Sequence, residues 1–220
     1  MKIIAHRGFS QKYPENTLLA FEKAIEAGAD GIETDLRLTL DNQIILFHDR
    51  NLKKHTDVDA KPESLSLLAL KEFDVGRGEC IPSLSELLEL TQEKVTLILE
   101  IKYIPETYKK LCEVLTVQIE DKLDWVEVSC FEDKVLEYIY KLNPNVKLHK
   151  LIKDASVLEA HGMEVKYDYV EYFDINVKLH KIALEKGLIG RRKVIFWTVD
   201  KEDLTKEIEA GLYGVMKDDI

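Results

Sequence analysis

The chain has 220 residues, 45% of them hydrophobic and 33% charged, the balance of a soluble globular protein long enough to fill one core. Its formal charge of −10 excludes the basic surface that nucleic acid or an anionic membrane would need, but not a small anion in a locally positive pocket. Three cysteines in no metal-ligand spacing, no apolar leader and no run of membrane-spanning length predict a cytoplasmic setting without an integral membrane segment.

No Pro/Gly/Ser-rich linker or low-complexity tract interrupts residues 1–220, so a single domain is expected. Lys2-Ile3-Ile4-Ala5 is too short for a helix and rich in β-branched residues, which predicts a buried strand. His6 and Arg7 follow at its C-terminal end, where parallel α/β folds gather their sites, and Gly8 lets the backbone turn. Asn16 or Thr17 then caps a helix that runs to Ala27 and stops at Gly28. Residues 30–38 switch to a period of two, which sets Glu33, Asp35 and Arg37 on one face of a strand. Two carboxylates so placed repel each other unless a cation lies between them; the plainer reading is a solvated face with Arg37 as counter-charge.

Asp41-Asn42 marks a turn, and residues 43–47 return as a strand ending on His48-Asp49. Residues 50–80 are polar and mixed, with a helix expected around 64–71, and Ser83 with Glu86 forms a capping box for the next helix. The strand over 95–102 ends on Glu100 and Lys102, which share a face: at the least a buried ion pair. With Glu33 and Asp35, Glu100 completes an all-oxygen set suited to a hard divalent ion. Further helices are expected over 105–119, 132–142, 155–161, 177–186 and 201–210, and strands over 125–129, 146–152, 169–173, 193–198 and 214–216. Ile220 follows too soon for a full eighth helix. Strands alternating with helices, with site residues at strand C-termini, predict a compact (β/α)8 TIM barrel. An open doubly wound sheet is the alternative, but no Gly-rich loop opens the first helix.

The motifs His6-Arg7-Gly8, Pro14-Glu15-Asn16-Thr17, Glu33-x-Asp35, His48-Asp49, Glu100-x-Lys102 and Trp197-Thr198-Val199 stand in the order found in the glycerophosphodiester phosphodiesterase family. The chain resembles that family over nearly its whole length; each motif alone is weak, but the ordered set is specific. The resemblance implies a TIM barrel with a small insertion after the second strand, short here at about residues 50–80. It assigns Glu33, Asp35 and Glu100 to one divalent ion, Mg2+ ahead of Ca2+, and His6 and His48 to acid–base work. It assigns Arg7, Glu15, Lys102 and Trp197 to a small glycerophosphodiester, cleaved to glycerol 3-phosphate and an alcohol. The residue chemistry agrees: imidazoles titrate near neutral pH, Arg7 can grip two phosphate oxygens, and Trp197 can stack on an alcohol or choline-like group. Two other readings are a lysophospholipase D-type enzyme, which needs an apolar groove, and a non-catalytic phospho-metabolite-binding module, which would not need paired histidines.

Plainer roles remain for Asn16 as a helix cap, Glu15 beside the helix dipole, and His55, His149, His161 and His180 as ordinary surface or helix histidines. The chain departs from the family at Asp200, where asparagine often follows W-T-V, and in its closing segment 211–218. Both departures bear on the rim and the leaving-group pocket.

Overall fold

The structure, a computed structural model, describes residues 1–200 and 211–220; the helix expected over 201–210 lies outside them. Among the described residues, β1 (Lys2–His6), β2 (Gly31–Leu38), β4 (Thr96–Ile101), β5 (Val126–Cys130), β6 (Leu148–Ile152), β7 (Tyr172–Asn176), β8 (Lys193–Trp197) and β9 (Gly214–Lys217) pair in parallel. The ladder closes because β1 joins both β9 and β2, giving a parallel eight-stranded barrel with helices between the strands. The short β3 (Ile44–Leu46) runs antiparallel on β2 outside this ring. The TIM barrel expected from strand–helix alternation is thus the fold.

Local chemistry sets the helices. Thr17, in extended conformation, caps α1 (Leu18–Glu26) by accepting from the Ala20 amide, and the Ser83–Glu86 capping box opens α4 (Leu84–Thr91). Phe21 and Ala24 of α1, Leu111 and Leu115 of α5 (Tyr108–Gln118), and Leu136 and Ile139 of α6 (Asp133–Leu142) bury against the outward side chains of the strands. A second apolar cluster, Ile4, Ile98, Tyr172, Ile195 and Met216, comes from strand residues at alternate positions.

Between β3 and α4 the chain forms α2 (Lys53–Thr56), a 3-10 turn over Pro62–Ser64 and α3 (Leu67–Leu70), rather than one helix over 64–71. Ile45, Phe47, Leu52, Leu70 and Ile81 form a small core beneath this segment, which ties it down beside His48. The helix expected over 155–161 is shorter, α7 (Ala155–Glu159), and is followed by α8 (Met163–Lys166). The helix expected over 177–186 is a 3-10 turn, Val177–Leu179, leading into α9 (His180–Glu185).

The strand expected over 169–173 lies at Tyr172–Asn176 instead. Asp174 and Asn176 look like a strand's exit, but alternate residues of a barrel strand face an interior, and here that interior holds buried polar groups beside its apolar cluster. His149 shows why. It is no surface histidine: it is fully buried on β6, with Nε2 2.9 Å from Glu127 Oε2 and Nδ1 3.0 Å from both Asp174 oxygens. Tyr172 stacks on its ring at 4.0 Å and donates to Glu127 Oε1 at 3.0 Å. Burial alone would depress the imidazole, but Asp174 and Glu127 outweigh it and push the pKa up to about 9.

A buried imidazolium raised from 6.5 to about 9 stabilises the fold fully below pH 6.5, and that contribution is lost as pH rises towards 9. Urea unfolding of the wild type is therefore expected to show a stability loss between these values that His149→Gln lacks. His149→Ala, which leaves the buried Asp174 unpaired while Glu127 keeps Tyr172 and Lys147, is expected to cost ~3–5 kcal/mol at neutral pH. A wild-type stability flat across this range would show that His149 is neutral in the fold.

Candidate active site

The site begins where β1 ends. Arg7 adopts a left-handed conformation with φ 57°, and Gly8 follows at φ 79°. A side chain at Gly8 would lie 2.7 Å from the Ala20 backbone, so only glycine lets the chain turn this close to α1. The turn brings Arg7 Nε to 3.1 Å from Asp35 Oδ2 and lets Nη1 donate to Glu15 Oε1 at 3.2 Å. Asn16, also left-handed at φ 57°, is not the helix cap; Thr17 is. The buried Asn16 amide donates to Asp35 Oδ2 at 2.8 Å and its carbonyl accepts from Thr34 Oγ1 at 2.7 Å, so it fixes the Asp35 carboxylate.

Strand register assembles the acids. Glu33 lies opposite His6, and Asp35 opposite Glu100. All three carboxylates are buried, and one oxygen from each lies within 4.8 Å of the others. Lys102 bridges two of them, with Nζ 2.7 Å from Asp35 Oδ1 and 2.6 Å from Glu100 Oε1. Two cations thus face three carboxylates. Burial would raise Asp35, but Lys102 and Arg7 hold it well below the usual carboxylate range. Burial and the nearby Asp35 charge push Glu33 up to about 8, against the pull of His6. Burial also raises Glu100, partly offset by Lys102.

These residues fit a hard divalent ion. The donors are all carboxylate oxygens, and a spread of 4.8 Å matches opposed ligands of one ion at ~2.4 Å. Asp35 Oδ1 is buried with an ion-pair contact to Lys102 but no aligned hydrogen bond, so it keeps lone-pair capacity.

The two histidines are tuned apart. His6 Nδ1 lies 2.7 Å from Asp218 Oδ1, and its Nε2 is 3.9 Å from Glu33. Burial lowers its pKa, but Asp218 and Glu33 overcome that and raise it. His48 Nδ1 lies 2.7 Å from Asp49 Oδ1. Burial, seconded by Lys102 and Arg7, lowers its pKa despite Asp35 and Asp49. With both Nδ1 atoms engaged, each ring has Nε2 left for chemistry.

His6, Arg7, Glu33, His48, Glu100, Lys102 and Trp197 line one hollow of about 150 Å3. Asp35 lies fully buried under it, and Glu15 stands to one side behind Arg7. Trp197 donates from Nε1 to the Asp174 carbonyl and meets Phe131 edge to face. Arg37 does not neutralise Glu33 or Asp35: it pairs with Glu63 at 2.7 Å and donates to the Phe47 and His48 carbonyls, which anchors His48. The sequence alone gives no sign of Asp218 as a partner, and it favours a helix cap for Asn16 over its hold on Asp35. Asp49 adjoins His48 in the chain, whereas Asp218 meets His6 from 212 residues away and carries no local signal.

The model of the glycerophosphoryl diester phosphodiesterase family matches residues 6–220. A glycerophosphodiester phosphodiesterase of Caldanaerobacter subterraneus is 34% identical, covering 99% of this chain and 93% of its own length. One from Bacillus altitudinis is 32% identical, with 99% and 94% covered. Among solved structures, an Oleispira antarctica phosphodiesterase in complex with the product sn-glycerol-3-phosphate superposes with a TM-score of 0.88 at 24% identity, covering 99% of this chain and 93% of that one.

With its pKa at about 8, Glu33 carries a proton at pH 7 in the absence of a cation. A divalent ion at the three carboxylates is therefore expected to release about one proton at pH 7 and to bind more tightly as pH rises towards 8. Titration calorimetry in buffers of different ionisation enthalpy reads the release directly. An observed heat independent of buffer would mean that Glu33 is ionised without the ion.

Proposed function

The chain belongs to the glycerophosphoryl diester phosphodiesterase family and is a phosphoric diester hydrolase, and on that premise we propose how its residues divide the reaction. The substrate is a small glycerophosphodiester, cleaved to glycerol 3-phosphate and an alcohol. That the Oleispira relative was solved with sn-glycerol-3-phosphate supports this choice of product. Glu33, Asp35 and Glu100 would hold one divalent ion, Mg2+ ahead of Ca2+, and such an ion would supply Lewis-acid polarisation of the phosphoryl oxygen.

The chain's own groups do the rest. Arg7 and Lys102 each keep N–H donors beyond those spent on Asp35, Glu15 and Glu100, and these receive the phosphate oxygens. Glu15 orients the Arg7 guanidinium for a two-pronged grip. His48, with its lowered pKa, is neutral near pH 7 and takes the proton of the attacking hydroxyl through Nε2. His6, with its raised pKa, carries the proton that Nε2 gives to the leaving alkoxide, while Asp218 holds Nδ1. The observation that carries this assignment is geometric: two histidines, each with Nδ1 held by a carboxylate, face one hollow above three carboxylates. Trp197, with Phe131, Leu151 and Met216, supplies the apolar wall of that hollow.

We place the protein in the cytoplasm as one domain over residues 1–220, with the segment 50–80 covering the substrate end. Two of its three free cysteines are buried, and no helix among the described residues is long and apolar enough to cross a membrane. A lysophospholipase D-type activity would need an apolar groove, but the hollow beside His48 sets Arg50, Lys102, Glu132 and Lys153 around its apolar groups Ile101, Tyr103 and Phe131.

Turnover of glycerophosphocholine is expected to vanish in EDTA and return with Mg2+ or Ca2+; full activity after dialysis against EDTA would sink the metal assignment. His6→Ala and His48→Ala should each lower kcat by about two to four orders of magnitude, with little change in Tm. The kcat/KM profile should fall on the acid side as His48 protonates and on the alkaline side as His6 loses its proton, and His48→Ala should abolish the acid limb. Arg7→Lys keeps the charge yet should cost about tenfold or more in kcat/KM, because a point charge cannot grip two oxygens. Wild-type kinetics in Arg7→Lys would place the phosphate elsewhere.

A further inference from the structure

Two hollows meet at the mouth of the barrel. The one that holds both histidines measures about 150 Å3; the other, about 390 Å3, opens beside it across His48, Glu100, Lys102 and Phe131. The smaller one carries the groups assigned above to the phosphate and the acid–base work, His6, Arg7, His48 and Lys102, and so takes the glycerophosphate. The second is then the space left for the alcohol that departs, a step that rests on the glycerophosphodiester reading above.

The walls of the larger hollow carry a charge pattern. Arg50, after β3, and Lys153, after β6, both line it; both are exposed, and neither has a carboxylate partner among the described residues. The other two lining cations are committed, Arg37 to Glu63 and Lys102 to Asp35 and Glu100. Asp49 is likewise engaged by His48, His55 and Lys54. Of the lining carboxylates, Glu132 alone lacks an ion-pair partner among the described residues, against two such cations.

The aromatic lining does not make a cage for a cation. Lys153 Nζ stands 5.0 Å from the centre of the Phe131 ring, and Lys134 Nζ stands 4.1 Å from that of Tyr103. An ammonium head group would have to displace or share these faces with charges of its own sign. An anionic group would instead meet two cations whose hydrogens are unspent.

We propose that the larger hollow is the alcohol subsite, and that Arg50 and Lys153 select head groups bearing an anionic group of their own, such as a phosphorylated polyol, over cationic ones such as choline. Both selecting groups are exposed, so the preference they give is moderate and screened by salt.

The test compares kcat/KM for glycerophosphoinositol 4-phosphate, glycerophosphoinositol and glycerophosphocholine. The first two differ only by the added phosphate. The wild type is expected to favour the phosphorylated substrate over its unphosphorylated twin by about tenfold at low ionic strength, and less as salt is added. Arg50→Gln with Lys153→Gln should bring that ratio close to unity, and Arg50→Glu with Lys153→Glu should turn the preference towards glycerophosphocholine. Equal kcat/KM for the twin substrates in the wild type, or a preference that survives both double variants, overturns the subsite while leaving the hydrolase reading intact. Turnover of none of the three overturns both.

Discussion

The mutual repulsion of Glu33, Asp35 and Glu100 is the constraint around which the mouth of the barrel is built. Three buried carboxylates within 4.8 Å of one another would be strongly unfavourable if left alone. The chain answers with two cations, Arg7 and Lys102, and sets His6 Nε2 3.9 Å from Glu33. Several features follow from placing those two. The left-handed turn at Arg7 and Gly8 exists to fold the guanidinium back over Asp35, and Asn16 is spent on holding that carboxylate rather than on capping α1. Burial and the neighbouring Asp35 charge then raise the pKa of Glu33, against the pull of His6. An entering divalent ion would displace that proton and meet three carboxylates already faced by two side-chain cations.

The surroundings also explain why two chemically identical histidines differ. Burial lowers the pKa of both, but His6 has Asp218 on Nδ1 and Glu33 beyond Nε2, and these reverse the shift. At His48 burial prevails, seconded by Lys102 and Arg7, over Asp35 and Asp49. The asymmetry comes from which charges stand beside each buried ring. Arg37 contributes from outside the pocket by binding the carbonyl next to the His48 ring, which converts an exposed strand end into a fixed one.

Much of this was legible in the sequence, for a definite reason. Strand ends and the period-two spacing of Glu33 with Asp35 and of Glu100 with Lys102 are local properties, and parallel register then brings the separate pairs together. The barrel itself followed from alternation of strands and helices. What was not legible depends on partners distant in sequence or on interior polarity. The Asp218–His6 contact closes the barrel from its last strand to its first. Asn16 follows the rule for a helix cap, yet Thr17 beside it satisfies that rule equally, and only tertiary contact decides between them. Strand β7 was misplaced because Asp174 and Asn176 are polar, and nothing in their neighbourhood reveals a buried histidine on the adjacent strand.

That histidine also shows what separates a site from a structural device. The barrel interior holds two acidic groups of residues: Glu33, Asp35 and Glu100 at the mouth, and Glu127 with Asp174 further in. Register places Ser129 between them, beside Glu100 on one strand and His149 on the other. In the inner group His149 contacts both carboxylates through its two ring nitrogens, and Tyr172 closes the remaining face. Its hydrogen-bonding is complete and no hollow reaches it among those that open at the mouth. At the mouth Arg7 and Lys102 touch Asp35 and Glu100, Glu33 has His6 Nε2 at 3.9 Å, and the whole arrangement faces an open hollow. Buried acids are common to both; what marks the outer group for chemistry is that three carboxylates converge there and the chain leaves a way in.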